Sequence, residues 1–201
     1  MNASDTRDWM LRFFAAFDRE QQALTELDRK SGDGDFGANL RSALGRARSA
    51  LNGAETTTPG HVFDVMSTAF LHTGGTSGPL FGMWFRQLAK ATRSETIGVA
   101  ELAHGFADGT ATVQRLGGAR PGDKTMVDAL IPATDALAAA TGSLDKALSA
   151  AAAAARSGAE ATAELLAKRG RASYVGEVAR GVLDPGAVAV ALLVESAQVT
   201  G

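Results

Sequence analysis

Apolar residues recur at intervals of three and four along nearly the whole chain, and that spacing leaves little room for anything but helices. Trp9, Phe13 and Phe17 form the first series, Leu40, Leu44, Ala47 and Leu51 the second, and Val62, Val65, Met66, Ala69 and Phe70 the third. Each lines one face of a helix. The pattern continues through Leu80, Phe81, Trp84 and Leu88, through Leu102, Phe106 and Val113, and through Met126, Leu130 and Leu137. Leu144, Ala147, Leu148 and Ala151 follow, and Val188, Ala191 and Leu192 close the list. No run alternates apolar and polar residues between turn residues, and the stretch Ala150 to Ala155 strongly favours helix.

Punctuation falls between these series. Thr58-Pro59 and Asp184-Pro185 each set a capping side chain before a proline suited to the first helical position. Asn52-Gly53, Gly117-Gly118, Gly142 and Gly170 sit where the periodicity lapses. Pro132 lies inside a helical pattern and predicts a kink or a helix divided in two. The expected fold is all-α, an up-and-down bundle of about eight antiparallel helices with short connections. At 201 residues the chain is expected to form a single domain over 1–201.

Composition excludes several functions. There is no cysteine, hence no disulfide framework, Cys-ligated zinc, iron–sulfur cluster or thiol catalysis. Twenty Lys and Arg against 22 Asp and Glu leave a charge of −2, without the basic footprint of a nucleic-acid binder. The longest apolar run, Ala187 to Val194, falls far short of the ~20 residues that span a bilayer. The first residues are polar and acidic, unlike a secretory signal, so a cytoplasmic protein is expected.

Chemistry concentrates in the connections. Between Asp28 and Asp35 three carboxylates, Asp28, Asp33 and Asp35, fall within eight residues. Held close, they repel unless solvent or a cation intervenes, and oxygen ligands without His or Cys select a hard ion, Mg²⁺ or Ca²⁺. Two familiar motifs fail here. Gly32 to Gly37 formally matches G-x-G-x-x-G but follows a helix end instead of a strand, and an EF-hand from Asp33 would need Gly and Glu where Ala38 and Leu44 stand. Thr73-Gly74-Gly75-Thr76-Ser77-Gly78-Pro79 runs into a helix whose first N–H groups make an anion site suited to phosphate. Pro121-Gly122-Asp123 is a turn with Asp123 expected to cap the next helix, and Arg171 can clamp a phosphate. The three histidines, His61, His72 and His104, show no metal spacing.

In order, Gly-Asp-x-Asp-x-Gly-x-Asn, Gly-Gly-x-Ser-Gly-Pro-Leu, Pro-Gly-Asp-Lys-Thr-Met, Gly-Arg-Ala-Ser-Tyr and Asp-Pro-Gly-Ala resemble the motifs of the dihydroxyacetone kinase L subunit, from about Leu27 to Leu193. The resemblance implies a barrel of eight antiparallel helices with a nucleotide, ADP or ATP, at one end. It implies that Asp28, Asp33 and Asp35 hold two Mg²⁺ ions against the phosphates. Phe36, Gly37, Ala38 and Asn39, with Thr76 and Ser77, match positions on the phosphate side. Gly117, Met126, Arg171, Asp184, Pro185 and Gly186 match the rest of the nucleotide pocket. At Phe36 the family usually has His, so a donor is lost and bulk is added.

The resemblance also implies a separate K subunit that carries dihydroxyacetone, and a phosphoryl donor that is either ATP or a phosphotransferase-system protein recharging bound ADP. The sequence does not choose between these donors, and a homodimer is compatible with it. A catalytically weakened, nucleotide-binding regulatory module, or an adaptor like the N-terminal part of fatty-acid kinases, is the alternative reading.

Overall fold

The computed structural model describes residues 1–198. Among them eight α-helices run in order: α1 (Ala3–Ser31), α2 (Phe36–Gly53), α3 (Pro59–Leu71), α4 (Ser77–Ala91), α5 (Val99–Gly117), α6 (Val127–Ala139), α7 (Leu144–Ala161) and α8 (Pro185–Glu195). No strand occurs among the described residues; Asn2 and Thr96 form an isolated bridge.

Each helix packs on its neighbour in sequence, and α1 packs on α8, so the eight close into a ring. The closing contact is specific: Trp9 Nε1 donates to the Leu193 carbonyl at 2.7 Å. Inside the ring Phe63 lies edge-on to Trp9 and stacks on Phe85, which meets Phe70 and Trp84. Trp84 meets Phe106 edge to face at 4.8 Å. Trp9, Phe70, Trp84 and Phe106 belong to the three-and-four series, Phe63 and Phe85 stand beside it, and all six are buried. The periodicity therefore reports one continuous core.

The ends follow local chemistry. Asn2 and Asp5 form a reciprocal capping box on α1, while Thr58, Ser143 and Asp184 cap α3, α7 and α8 from extended backbone. Gly118 ends α5 with φ 63°, a left-handed stop. Asp123 does not cap α6 as expected. Its carboxylate accepts the Arg120 N–H, and Asp128 instead accepts from Gly122 and Thr125 in the turn before the helix. Nor does Pro132 divide α6, which continues through it from Val127 to Ala139.

Alternation up and down the ring brings the α1–α2, α3–α4, α5–α6 and α7–α8 connections to one end of the barrel. The first three are short. The fourth holds three 3₁₀ turns, Thr162–Glu164, Arg171–Tyr174 and Gly176–Ala179, and folds back on α1.

Candidate functional site

A cavity of about 370 Å³ opens among those four connections, a volume suited to a small-molecule ligand. One wall is acidic. Asp28 sits on the last turn of α1, and its Oδ2 accepts the Phe36 N–H at 2.9 Å, joining the helix end to the start of α2. Burial pushes the Asp28 carboxyl above its usual range against that hydrogen bond, and the charges of Asp33 and Asp35 push the same way. Asp33 faces Arg171, whose NH1 lies 2.6 Å from its Oδ2. Among the described residues no three acidic or histidine groups are already gathered as a metal cage. The donors nonetheless suit a hard divalent cation: carboxylate oxygens with an excess of negative charge and no nitrogen or sulfur. A cation taking Asp33 would displace Arg171 from it.

Opposite the carboxylates, α4 begins at Ser77 with no capping side chain on its first N–H groups. Asn39, Gly75, Thr76 and Ser77 border this part of the cavity. Gly75 has φ 79°, and a Cβ there would come 2.9 Å from Asn39 Nδ2, so the loop needs a glycine twice over. Free N–H groups, hydroxyls and the helix dipole form a surface for an anion.

The third wall is apolar: Leu80, Val113, Gly117, Ala119, Met126 and Pro185. Gly186 keeps it open, since a Cβ would lie 3.0 Å from Asp184 Oδ2 and 3.4 Å from Met126 Cβ. Asp184 uses Oδ2 to accept the Ala187 N–H at 2.7 Å, and its own N–H donates to Thr162 Oγ1. Its carboxyl is pushed up to about 7, chiefly by burial, with Asp128 and Asp28 adding to it against the Ala187 hydrogen bond and Lys124.

The structure thus brings Asp28, Asp33, Asp35, Phe36, Asn39, Thr76, Ser77, Gly117, Met126, Arg171, Asp184, Pro185 and Gly186 to one cavity. Gly37 and Ala38 are not among its lining residues. Gly37 is buried against α1, where a Cβ would strike the Thr25 hydroxyl, and Ala38 faces solvent one helical step away. Lys124, Thr125 and Arg169 line the cavity although the sequence reading gave them no role. Lys124 is visible in sequence only as part of the Pro-Gly-Asp-Lys-Thr-Met run, since its partners are backbone carbonyls at Leu165 and Ala179.

Comparisons with known proteins place the chain in a family. The DAK2 domain family model matches residues 30–198. The ADP-binding subunit DhaL of the PEP-dependent dihydroxyacetone kinase of Escherichia coli (strain K12) is 36% identical over 193 residues, covering 94% of this chain and 92% of that one. The L-erythrulose 1-kinase of Mycolicibacterium smegmatis is 40% identical over 184 residues, covering 86% of this chain but 31% of the longer enzyme. A solved dihydroxyacetone kinase from C. freundii, in complex with AMP-PNP and Mg²⁺, superposes with a TM-score of 0.71 at 30% identity over 98% of this chain and 33% of its own. Family model, full-length relative and solved fold coincide on the segment that builds the cavity, and the chain belongs to the DAK2 domain family.

Proposed function

We propose that the chain is the nucleotide-binding subunit of a dihydroxyacetone kinase or a related short-chain ketose kinase, a phosphotransferase with an alcohol group as acceptor. The observation that carries this reading is the single cavity with a carboxylate wall, an uncapped helix start facing it and an apolar third side. A Mg²⁺ nucleotide needs those three surfaces together.

In this reading Asp28, Asp33 and Asp35 hold two Mg²⁺ ions, which when bound supply charge neutralisation at the phosphates. Asn39, Thr76, Ser77 and the first amides of α4 orient the phosphate oxygens. The base and ribose lie against Gly117, Met126, Asp184, Pro185 and Gly186. Arg171 offers a planar fork of donors to the transferring group. No histidine is among the residues that line the cavity. The acceptor is then held by a separate K subunit, and this chain contributes the donor side. The phosphoryl group comes from exchanging ATP or from a phosphotransferase-system protein that recharges resident ADP; the protein acts in the cytoplasm.

Calorimetric titration of the nucleotide-stripped protein with ADP, with and without Mg²⁺, tests the reading. Binding that requires Mg²⁺ supports it. Absence of binding overturns it, and Mg²⁺-dependent binding without ketose phosphorylation by any K partner favours the regulatory alternative, for which the apolar Phe36 ring beside the carboxylates is the structural argument. ADP co-purifying with the protein points to the recharged cofactor, and loss of nucleotide on washing points to ATP exchange. Because relatives act on dihydroxyacetone and on erythrulose, a K partner is assayed with both ketoses.

A further inference from the structure

Resting on the nucleotide reading above, we infer that Lys124 is a positioning residue: it ties down both ends of the connection that roofs the cavity and so sets where Arg171 points. The roof has no core of its own. The 3₁₀ turn Arg171–Tyr174 buries no residue, and Tyr174 and Val178 are 90% and 80% exposed. Beyond Ala179, which is buried, and Leu183, which packs on the barrel core, it has little hydrophobic burial to fix its position, and polar ties carry the rest.

Those ties converge on one turn. Lys124 is only 2% exposed, and its Nζ donates to the Leu165 carbonyl at 3.1 Å and to the Ala179 carbonyl at 3.0 Å. The two acceptors lie on either side of Arg171 in the chain. One ammonium thus clamps the segment before and after the arginine. The neighbouring residue reinforces the near end: the Asp123 carbonyl accepts the Lys168 N–H at 3.0 Å, and its carboxylate meets Arg169 Nε at 3.3 Å. At the far side, Gly181 N–H donates to the Ala163 carbonyl at 2.8 Å.

The backbone of Lys124 adds an independent observation. Its φ is 60°, and it is the only non-glycine residue with positive φ among those described. A lysine in that region is strained, and the turn is held there by Asp128, which accepts from Gly122 and Thr125. Burying an ammonium whose hydrogen bonds go to neutral carbonyls is also unfavourable, and the Asp184 and Glu164 charges offset only part of that burial. A turn that needed only to connect α5 to α6 requires neither feature. Both are accounted for if the turn exists to present this ammonium to the roof.

The test is a double-mutant cycle on the full chain, read as ADP affinity in Mg²⁺ by calorimetry. Lys124→Met keeps the apolar stem and removes the donors. Expected are a loss of about tenfold for Lys124→Met, a loss at least as large for Arg171→Ala, and a double variant no weaker than Arg171→Ala alone, because one residue acts through the other. In the ligand-free protein, tryptic cleavage after Arg171 should accelerate about tenfold in Lys124→Met while the helical circular dichroism is retained. Losses that multiply, or wild-type affinity in Lys124→Met, overturn the inference while leaving the nucleotide reading intact. An Arg171→Ala variant of unchanged affinity overturns it as well. A wild-type chain that binds no ADP with Mg²⁺ removes the nucleotide reading and the inference with it. If Lys124→Met does not fold, Lys124→Gln, which keeps two donors on a shorter reach, enters the same cycle with the same non-additivity expected.

Discussion

Asp33 pairs with Arg171, and a divalent cation taking that carboxylate competes with the guanidinium for it. Removing the arginine therefore has opposite effects on two ligands. Arg171→Ala should tighten binding of Mn²⁺ alone severalfold, followed by electron paramagnetic resonance, and weaken binding of ADP in Mg²⁺. Asp33→Ala should abolish the Mg²⁺ dependence of nucleotide binding, while stability moves by less than about 0.5 kcal/mol, since an exposed ion pair contributes little. Asp184 gives a pH test. Its folded carboxyl keeps its proton up to about 7, against an ordinary value of 3.8 when unfolded. Between those values the folded chain binds more protons than the unfolded one, so its stability contribution is full below pH 4 and is lost as pH rises toward 7. Asp184→Asn keeps an acceptor for the Ala187 N–H, and should raise the melting temperature of the ligand-free protein at pH 8 and leave it nearly unchanged at pH 4. At this scale the sequence was legible where charge density betrays chemistry, as at Asp28, Asp33 and Asp35. It was silent on Lys124, because a lysine whose partners are distant carbonyls carries no local signature. It also named Gly37 and Ala38, which helical geometry turns away from the cavity that their neighbours line.

Helix α6 shows why the three-and-four spacing could be read with ease while its interruption could not. Pro132 lacks an N–H, so the Asp128 carbonyl four residues earlier has no intrahelical donor. In sequence that predicts a break. In the folded chain α7 brings Gly158 against that carbonyl, where a Cβ would collide with the Asp128 oxygen and lie 3.2 Å from Ala129 Cα. A Cα–H group approaching the free carbonyl is a weak but favourable contact, and only glycine allows it. Gly158→Ala should therefore destabilise the protein by about 2 kcal/mol in urea unfolding, although alanine favours an isolated helix by about 1 kcal/mol. In a Pro132→Ala background the penalty should shrink, because the carbonyl regains its helical donor and withdraws from α7. The 3₁₀ turns between α7 and α8 were illegible for a related reason. Their conformation is fixed by ties to another connection, whereas helices announce themselves by the face they bury.

Short connections dictate that successive helices alternate, but they do not say that the last must meet the first. Closure depends on Trp9 reaching Leu193, 184 positions away, with Arg12 Nε adding a bond of 2.8 Å to the Ser196 carbonyl. No periodicity records such a pairing, so the spacing by itself predicts a bundle; the barrel is implied by the resemblance of the motifs, and the structure shows the ring. The seam and the cavity are also separated along α1, with 19 residues from Trp9 to Asp28 corresponding to roughly 28 Å of helix. Stability and ligand binding can then be varied independently. Trp9→Phe leaves the Leu193 carbonyl without its donor and a small void beside Phe63, which together should cost about 2–3 kcal/mol in urea unfolding. At 25 °C, well below the transition, the folded population still dominates, and ADP affinity in Mg²⁺ should remain within about twofold of the unaltered protein. A parallel loss of affinity would mean that the four connections are held in register by the whole ring, and that the cavity cannot be treated as a property of one end alone.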